Sequence, residues 1–111
     1  MKKYYHQKLI RDKIPQWIES QGGQYETKVL SSRDYPIRLK QKLIEEAQEL
    51  AKAPKVDLIN ELADIWELFK TITDYHHLKV SDIKKYAARK KQQRGGFRKR
   101  LFLIWSDKPT G

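Results

Sequence analysis

Two adjacent segments with helical spacing of apolar residues constrain the fold more strongly than any other part of the sequence. The first runs from about residue 34 to about Lys52, and the second from about Val56 to Tyr75. In both, apolar residues recur three and four positions apart, which is the spacing of one face of an α-helix. Only Ala53-Pro54-Lys55 separates them, and a proline disfavours helical conformation at the residue before it. The pattern predicts two helices joined by a short loop.

Shorter helices are predicted on either side of this pair. The first carries Trp17 on its apolar side and ends at Gly22-Gly23, because glycine tolerates the left-handed conformation that often follows a helix. The last begins at Ser81-Asp82 and continues to about Gln93. The chain is therefore expected to contain four helices.

Residues 24–30 alternate loosely between polar and apolar side chains, and residues 100–105 are rich in large apolar ones. Both patterns are typical of strands. The predicted fold class is all-α, with a four-helix core and a minor two-stranded β element, in a single domain over residues 1–111. Since only 39% of the residues are hydrophobic and 34% are charged, we expect the core to be completed by oligomerisation, as a dimer or tetramer.

The composition narrows the compartment and the partners. No apolar run approaches the ~20 residues needed to span a bilayer, so no membrane partner is expected. The basic N-terminus lacks the apolar region of a secretory signal. The absence of cysteine excludes disulfides and thiolate metal sites within these 111 residues. We expect a cytoplasmic protein.

Charge is unevenly distributed along the chain. The formal net charge of +10 favours polyanionic partners, including nucleic acids and nucleotide phosphates. Nine basic residues lie close together without an acidic residue among them: Lys84, Lys85, Arg89, Lys90, Lys91, Arg94, Arg98, Lys99 and Arg100. The carboxylates collect instead in the two central helices.

Each central helix carries a pair of acids three positions apart, Glu46 with Glu49 and Glu61 with Asp64. Residues at this spacing lie on one helical face. Antiparallel packing of the two helices would bring the four carboxylates together, at the margin of the apolar faces. Such a group is unfavourable without a cation among its members, and oxygen ligands suit Mg²⁺ or Mn²⁺ better than zinc. A solvated acidic face is the alternative interpretation.

Lys42 lies one turn before Glu46. It is placed either to contact an anionic ligand held by the metal or to form an i,i+4 ion pair with Glu46, and the sequence is consistent with both.

The order Glu-Glu-x-x-Glu followed by Glu-x-x-Asp, at Glu45–Glu49 and Glu61–Asp64, resembles the signature of the all-α, MazG-like nucleoside triphosphate pyrophosphohydrolases. The opening Lys8–Pro15 and the late Arg94-Gly95-Gly96-Phe97 resemble a small house-cleaning branch, which is similar to phosphoribosyl-ATP pyrophosphohydrolase. The resemblance covers roughly residues 8–103. The chain departs from it in the short separation of the two acidic motifs, only Leu50 to Asn60.

The resemblance implies Mg²⁺-dependent cleavage of a nucleoside triphosphate, ordinary or non-canonical, into a nucleoside monophosphate and pyrophosphate. It implies that Glu46, Glu49, Glu61 and Asp64 bind the metal. Glu45 and Glu46 would act in catalysis, with Glu45 helping to orient the attacking water.

Several basic residues are candidates to contact the triphosphate, namely Lys42, Lys91, Arg94, Arg11 and Lys13. Two alternatives to the house-cleaning function stay open at this point. One is phosphoribosyl-ATP hydrolysis in histidine synthesis, which uses a similar acidic motif. The other is a non-enzymatic, basic nucleic-acid-binding protein, in which Tyr86, Phe97 and Trp105 would stack on bases.

Overall fold

The computed structural model describes residues 2–110. Contacts divide the chain into two compact units, the first ending at His77 and the second beginning at Leu78. The single domain expected over residues 1–111 stays a prediction, and the two units are described in turn.

The first unit is built around a helical hairpin. It contains α1 (Ile14–Ser20), α2 (Asp34–Lys52), a 3₁₀ turn at Lys55–Asp57 and α3 (Leu58–Tyr75). Pro54 separates α2 from the 3₁₀ turn in an extended conformation, with ψ of 160°. The loop is therefore as short as the sequence predicts, and α2 and α3 pack against each other along their apolar faces.

Contacts between the start of α2 and the end of α3 show that the two helices are antiparallel. The hydroxyl of Tyr75 donates to the Ser32 carbonyl oxygen at 2.9 Å, and its ring meets that of Tyr35 edge-on at 5.1 Å. Leu39 on α2 and Thr73 on α3 are buried. This arrangement fixes which residues of the two helices face each other at the other end of the hairpin.

Helix α1 has Pro15 in its first turn, where the missing N–H costs no helical hydrogen bond. Two residues beyond the helix, Gly22 is in the left-handed region with φ of +74°. The N–H of Gly23 then donates to the Ile18 carbonyl at 2.9 Å, and a Cβ on Gly23 would lie 2.8 Å from the Ile18 side chain. Both glycines are thus required by the turn that the sequence predicts.

The second unit contains α4 (Val80–Arg94), followed by residues without regular structure. Gly95 ends α4 with φ of +83°, and its N–H donates to the Lys91 carbonyl at 2.8 Å. The predicted existence and order of all four helices are confirmed. No helix among the described residues is long and apolar enough to cross a membrane.

The predicted β element is wrong, since residues 2–110 include no strand. A strand needs a neighbour to bond its backbone N–H and C=O groups, and two strands alone are marginally stable in water. In residues 24–30, Val29 is exposed, and the Tyr25 hydroxyl donates to Glu19 of the α1 helix at 2.7 Å. In residues 100–105, the apolar side chains are exposed. An alternating or apolar sequence pattern shows which side chains would suit a strand. It does not show whether a neighbouring strand is present to form the backbone hydrogen bonds.

Candidate metal centre

The α2–α3 hairpin brings three carboxylates together. Glu46 on α2 lies beside Glu61 and Asp64, which are one turn apart on α3. One carboxylate oxygen from each residue lies within 4.8 Å of the others, and all three side chains are partly buried. Oxygens on opposite sides of one Mg²⁺ lie about 4.2 Å apart, given metal–oxygen distances of about 2.1 Å. The 4.8 Å limit is slightly wider than this span, so small side-chain movements would let the three oxygens reach one ion, and an all-oxygen donor set suits a hard divalent cation.

The electrostatics of Glu61 support the same conclusion. Its pKa is raised above the ordinary value of 4.5, chiefly because partial burial desolvates the charged carboxylate. Repulsion from Glu46, Asp64 and Glu49, and a hydrogen bond with Glu46, raise this pKa further. The protein thus holds these acids where their charged forms oppose one another, and a bound cation would relieve that cost.

Glu49 is the one predicted metal ligand outside the three-carboxylate cluster. Its side chain is exposed, on the turn of α2 that follows Glu46. Its negative charge still raises the pKa of Glu61, although less than the charges of Glu46 and Asp64 do. Glu49 therefore borders the cluster, and its role as a ligand stays a prediction.

Lys42 lies beside the cluster in the ion pair that the sequence allowed. Its Nζ is 3.5 Å from a Glu46 oxygen and 3.6 Å from a Glu45 oxygen. Glu46 is 14% exposed in this pair, whereas Glu45 is 50% exposed. Lys42 thus partly neutralises the α2 side of the cluster, and Glu45 faces solvent at its edge.

Arg11 supplies the cation on the α3 side. Its guanidinium donates to Asp64 at 2.7 Å, across 53 positions of sequence. The sequence predicts Arg11 only as a phosphate contact and does not predict its pairing with Asp64. No spacing rule connects residues so far apart, although a cation within the Lys8–Pro15 motif was a signal that this segment meets the acids. The contact brings the N-terminal segment to the cluster.

The other basic residues named from the sequence lie elsewhere. Lys13 is exposed at the start of α1, where its carbonyl accepts a hydrogen bond from the Trp17 N–H at 3.1 Å. Lys91 and Arg94 belong to α4 in the second unit. Their roles as phosphate contacts stay predictions.

Helix α3 also presents an apolar face that α2 does not cover. A shallow open groove of about 570 Å³ lies along it, lined by Ile59, Leu62, Ala63, Ile65, Trp66 and Phe69. The Trp66 and Phe69 rings stack at 5.5 Å. At about 100° per residue, Trp66 points to nearly the opposite side of the helix from Asp64. Asp64 therefore lies on a different face of α3 from Trp66, whereas Glu61, only about 40° from Ile65 around the helix, lies at the edge of the groove.

No family model, curated protein or solved structure matches the chain.

Proposed function

We propose that the protein is a Mg²⁺-dependent nucleoside triphosphate pyrophosphohydrolase, with Mn²⁺ as an alternative ion. The observation that carries this proposal is the meeting of Glu46, Glu61 and Asp64 within 4.8 Å, from two helices. These residues belong to the two motifs that resemble the MazG-like enzymes. Lys42 and Arg11 flank them, so the site combines metal-binding oxygens with cations suited to a polyphosphate.

In this proposal, Glu46, Glu61 and Asp64 hold the ion, with Glu49 as a further ligand at the border. When bound, a divalent ion neutralises charge on the phosphates and makes water a better nucleophile. Glu45 orients the water for attack on the α-phosphorus. The bond between the α- and β-phosphates breaks, and the products are a nucleoside monophosphate and pyrophosphate.

Lys42 and Arg11 have a second task. Without substrate, they are paired with Glu46 and Asp64, which lowers the repulsion among the acids. Substrate phosphates compete for the same donors, and arginine in particular matches phosphate geometry. We propose that both side chains turn to the phosphates when the carboxylates engage the ion. Lys13, Lys91 and Arg94 are proposed as further contacts.

The exposed apolar face of α3 supports a homo-oligomer. Ile59, Leu62 and Trp66 are 80%, 52% and 54% exposed, and they continue one helical face. A second copy is the proposed cover, since the same apolar face on two copies can form a symmetric contact that buries it. We propose that the protein acts in the cytoplasm. Nucleotide substrates are present there, and a sequence without cysteine is compatible with that compartment.

The test is pyrophosphate release from ordinary and modified nucleoside triphosphates and from phosphoribosyl-ATP, with Mg²⁺ and with chelator. We expect metal-dependent release and a monophosphate product. Phosphoribosyl-ATP as the best substrate would favour a role in histidine synthesis over house-cleaning. If no substrate releases pyrophosphate, although Mg²⁺ is present and the helices are folded, the proposed function is wrong.

A further inference from the structure

The second unit exposes aromatic rings along a strongly basic stretch of chain. Tyr86 on α4 is 63% exposed, and beyond the helix Phe97, Phe102 and Trp105 are 97%, 90% and 80% exposed. Single exposed apolar side chains are common, but several large rings close together in sequence commonly mark a binding surface. These rings have no role in the proposed hydrolysis.

The charge of the same stretch is of one sign. Between Ile83 and Trp105 there are nine lysine and arginine residues and no acidic one. The side chains of Arg98, Lys99 and Arg100, which lie between two of the rings, form no ion pair with the described residues. Arg98, Lys99 and Arg100 therefore lie among the exposed rings and are available to a polyanion.

We infer that residues 86–105 bind single-stranded nucleic acid. Bases in a single strand expose their faces, on which Phe97, Phe102 and Trp105 can stack, while phosphates pair with the neighbouring cations. At Tyr86, the guanidinium of Arg89 already lies 5.4 Å from the ring centroid, so one cation and one ring are held together. A duplex offers the same phosphates, but its base faces are stacked and inaccessible.

The distribution of charge on α4 favours this ligand over an anionic membrane. A helix that lies in a membrane surface needs an apolar face opposite its charged one. Basic residues are distributed around all sides of α4, namely Lys84, Lys85, Arg89, Lys90, Lys91 and Arg94. Leu101 and Ile104 are also exposed and would enter a bilayer more readily than a base stack, so vesicles are included in the test.

The experiment is fluorescence anisotropy of the full chain with a labelled oligonucleotide of about 15 nucleotides, in chelator so that the proposed hydrolysis cannot contribute. We expect binding that depends little on sequence, weakens with salt and is stronger for the single strand than for its duplex. Phe97→Ala and Trp105→Ala should each weaken binding about 5- to 100-fold without changing the salt slope. Replacing Arg98, Lys99 and Arg100 by glutamine should reduce the magnitude of that slope by about 2.

Tyr5→Ala is the matched control, because Tyr5 is 80% exposed and lies in the N-terminal segment, outside the proposed surface. It should leave the affinity for the oligonucleotide unchanged. Equal affinity for single strand and duplex, or no effect of the aromatic changes, would overturn the inference. So would binding to phosphatidylserine vesicles without binding to the oligonucleotide. None of these outcomes depends on whether the protein hydrolyses nucleotides.

Discussion

The α2–α3 hairpin and the basic stretch of the second unit place charge in opposite ways. In the hairpin, helix packing gathers acids from two elements, and partial burial with mutual repulsion raises the pKa of Glu61. In the second unit, the nine basic residues follow one another along the chain and are exposed to solvent. Carboxylates gathered from two helices suit the small cation that we propose. Basic residues spread along an exposed segment suit the extended polyanion that we infer.

We expect the largest effect on activity from the removal of one carboxylate of the cluster, which tests whether the cluster is the catalytic metal site. Asp64→Asn or Glu61→Gln should reduce pyrophosphate release more than about 100-fold, since loss of even an indirect partner of a metal ligand costs about 10- to 100-fold. Neither change should unfold the protein, because each removes repulsion. Steady-state pyrophosphate release, with circular dichroism for the fold, measures this.

Glu67→Gln is the matched control, as Glu67 is an exposed acid on the same helix and is not part of the cluster. It should keep nearly full activity. Full Mg²⁺-dependent turnover by the Asp64 variant would show that the cluster is a solvated acidic face and not the catalytic site.

A charge introduced on the apolar face of α3 tests whether two copies of the chain associate through this face. Leu62→Glu introduces a charge into the proposed contact between two copies, and burying that charge without a partner is costly. We expect the variant to sediment as a monomer at concentrations at which the original chain is a dimer or tetramer. Gln48→Glu, an exposed change on α2, should not alter the assembly. A monomeric original chain would remove the proposed role of this face.

The resemblance implies that Glu49 binds the metal, but the structure does not include Glu49 in the three-carboxylate cluster. As a direct ligand it would match Asp64 in importance, but it lies outside the cluster and acts on Glu61 through its charge. We expect Glu49→Gln to weaken Mg²⁺ affinity by about 10-fold, less than Asp64→Asn does. Calorimetric titration with Mg²⁺ compares the two, and equal losses would establish Glu49 as a ligand.

The comparison of Glu49 with Asp64 shows which features of the site can be predicted from the sequence. Helical spacing predicts α2 and α3, and the i,i+3 pairs identify Glu61 and Asp64, because both features are local. The distance between Glu46 and α3 depends on the loop and the packing angle, and the Arg11–Asp64 pair spans 53 positions, so neither follows from spacing. The predicted strands are wrong for a related reason, since a strand depends on a neighbour that local pattern cannot supply.

The smallest expected effect is the pH dependence of stability without metal. Because the pKa of Glu61 is raised in the folded protein, the folded state holds a proton that the unfolded state has released at pH values between the ordinary 4.5 and the raised value. Stability therefore falls as pH rises through this window and stays lower above it. Glu61→Gln removes the titrating group, so its thermal midpoint in chelator should exceed that of the original chain above the window.

Thermal melts at several pH values, in chelator and in Mg²⁺, measure this difference. Mg²⁺ should stabilise the original chain above the window and lose its effect as protons compete for Glu61 at lower pH. The Glu61 variant should show a flatter pH profile and a smaller response to Mg²⁺. The pH dependence linked to Mg²⁺ should come from the hairpin, because the carboxylate cluster lies there. If the Glu61 variant keeps the same pH profile and Mg²⁺ response, the Glu61 carboxylate is solvated in the folded protein. The acids of the hairpin would then be as exposed as the basic residues of the second unit, and the proposed difference between the two regions would be wrong.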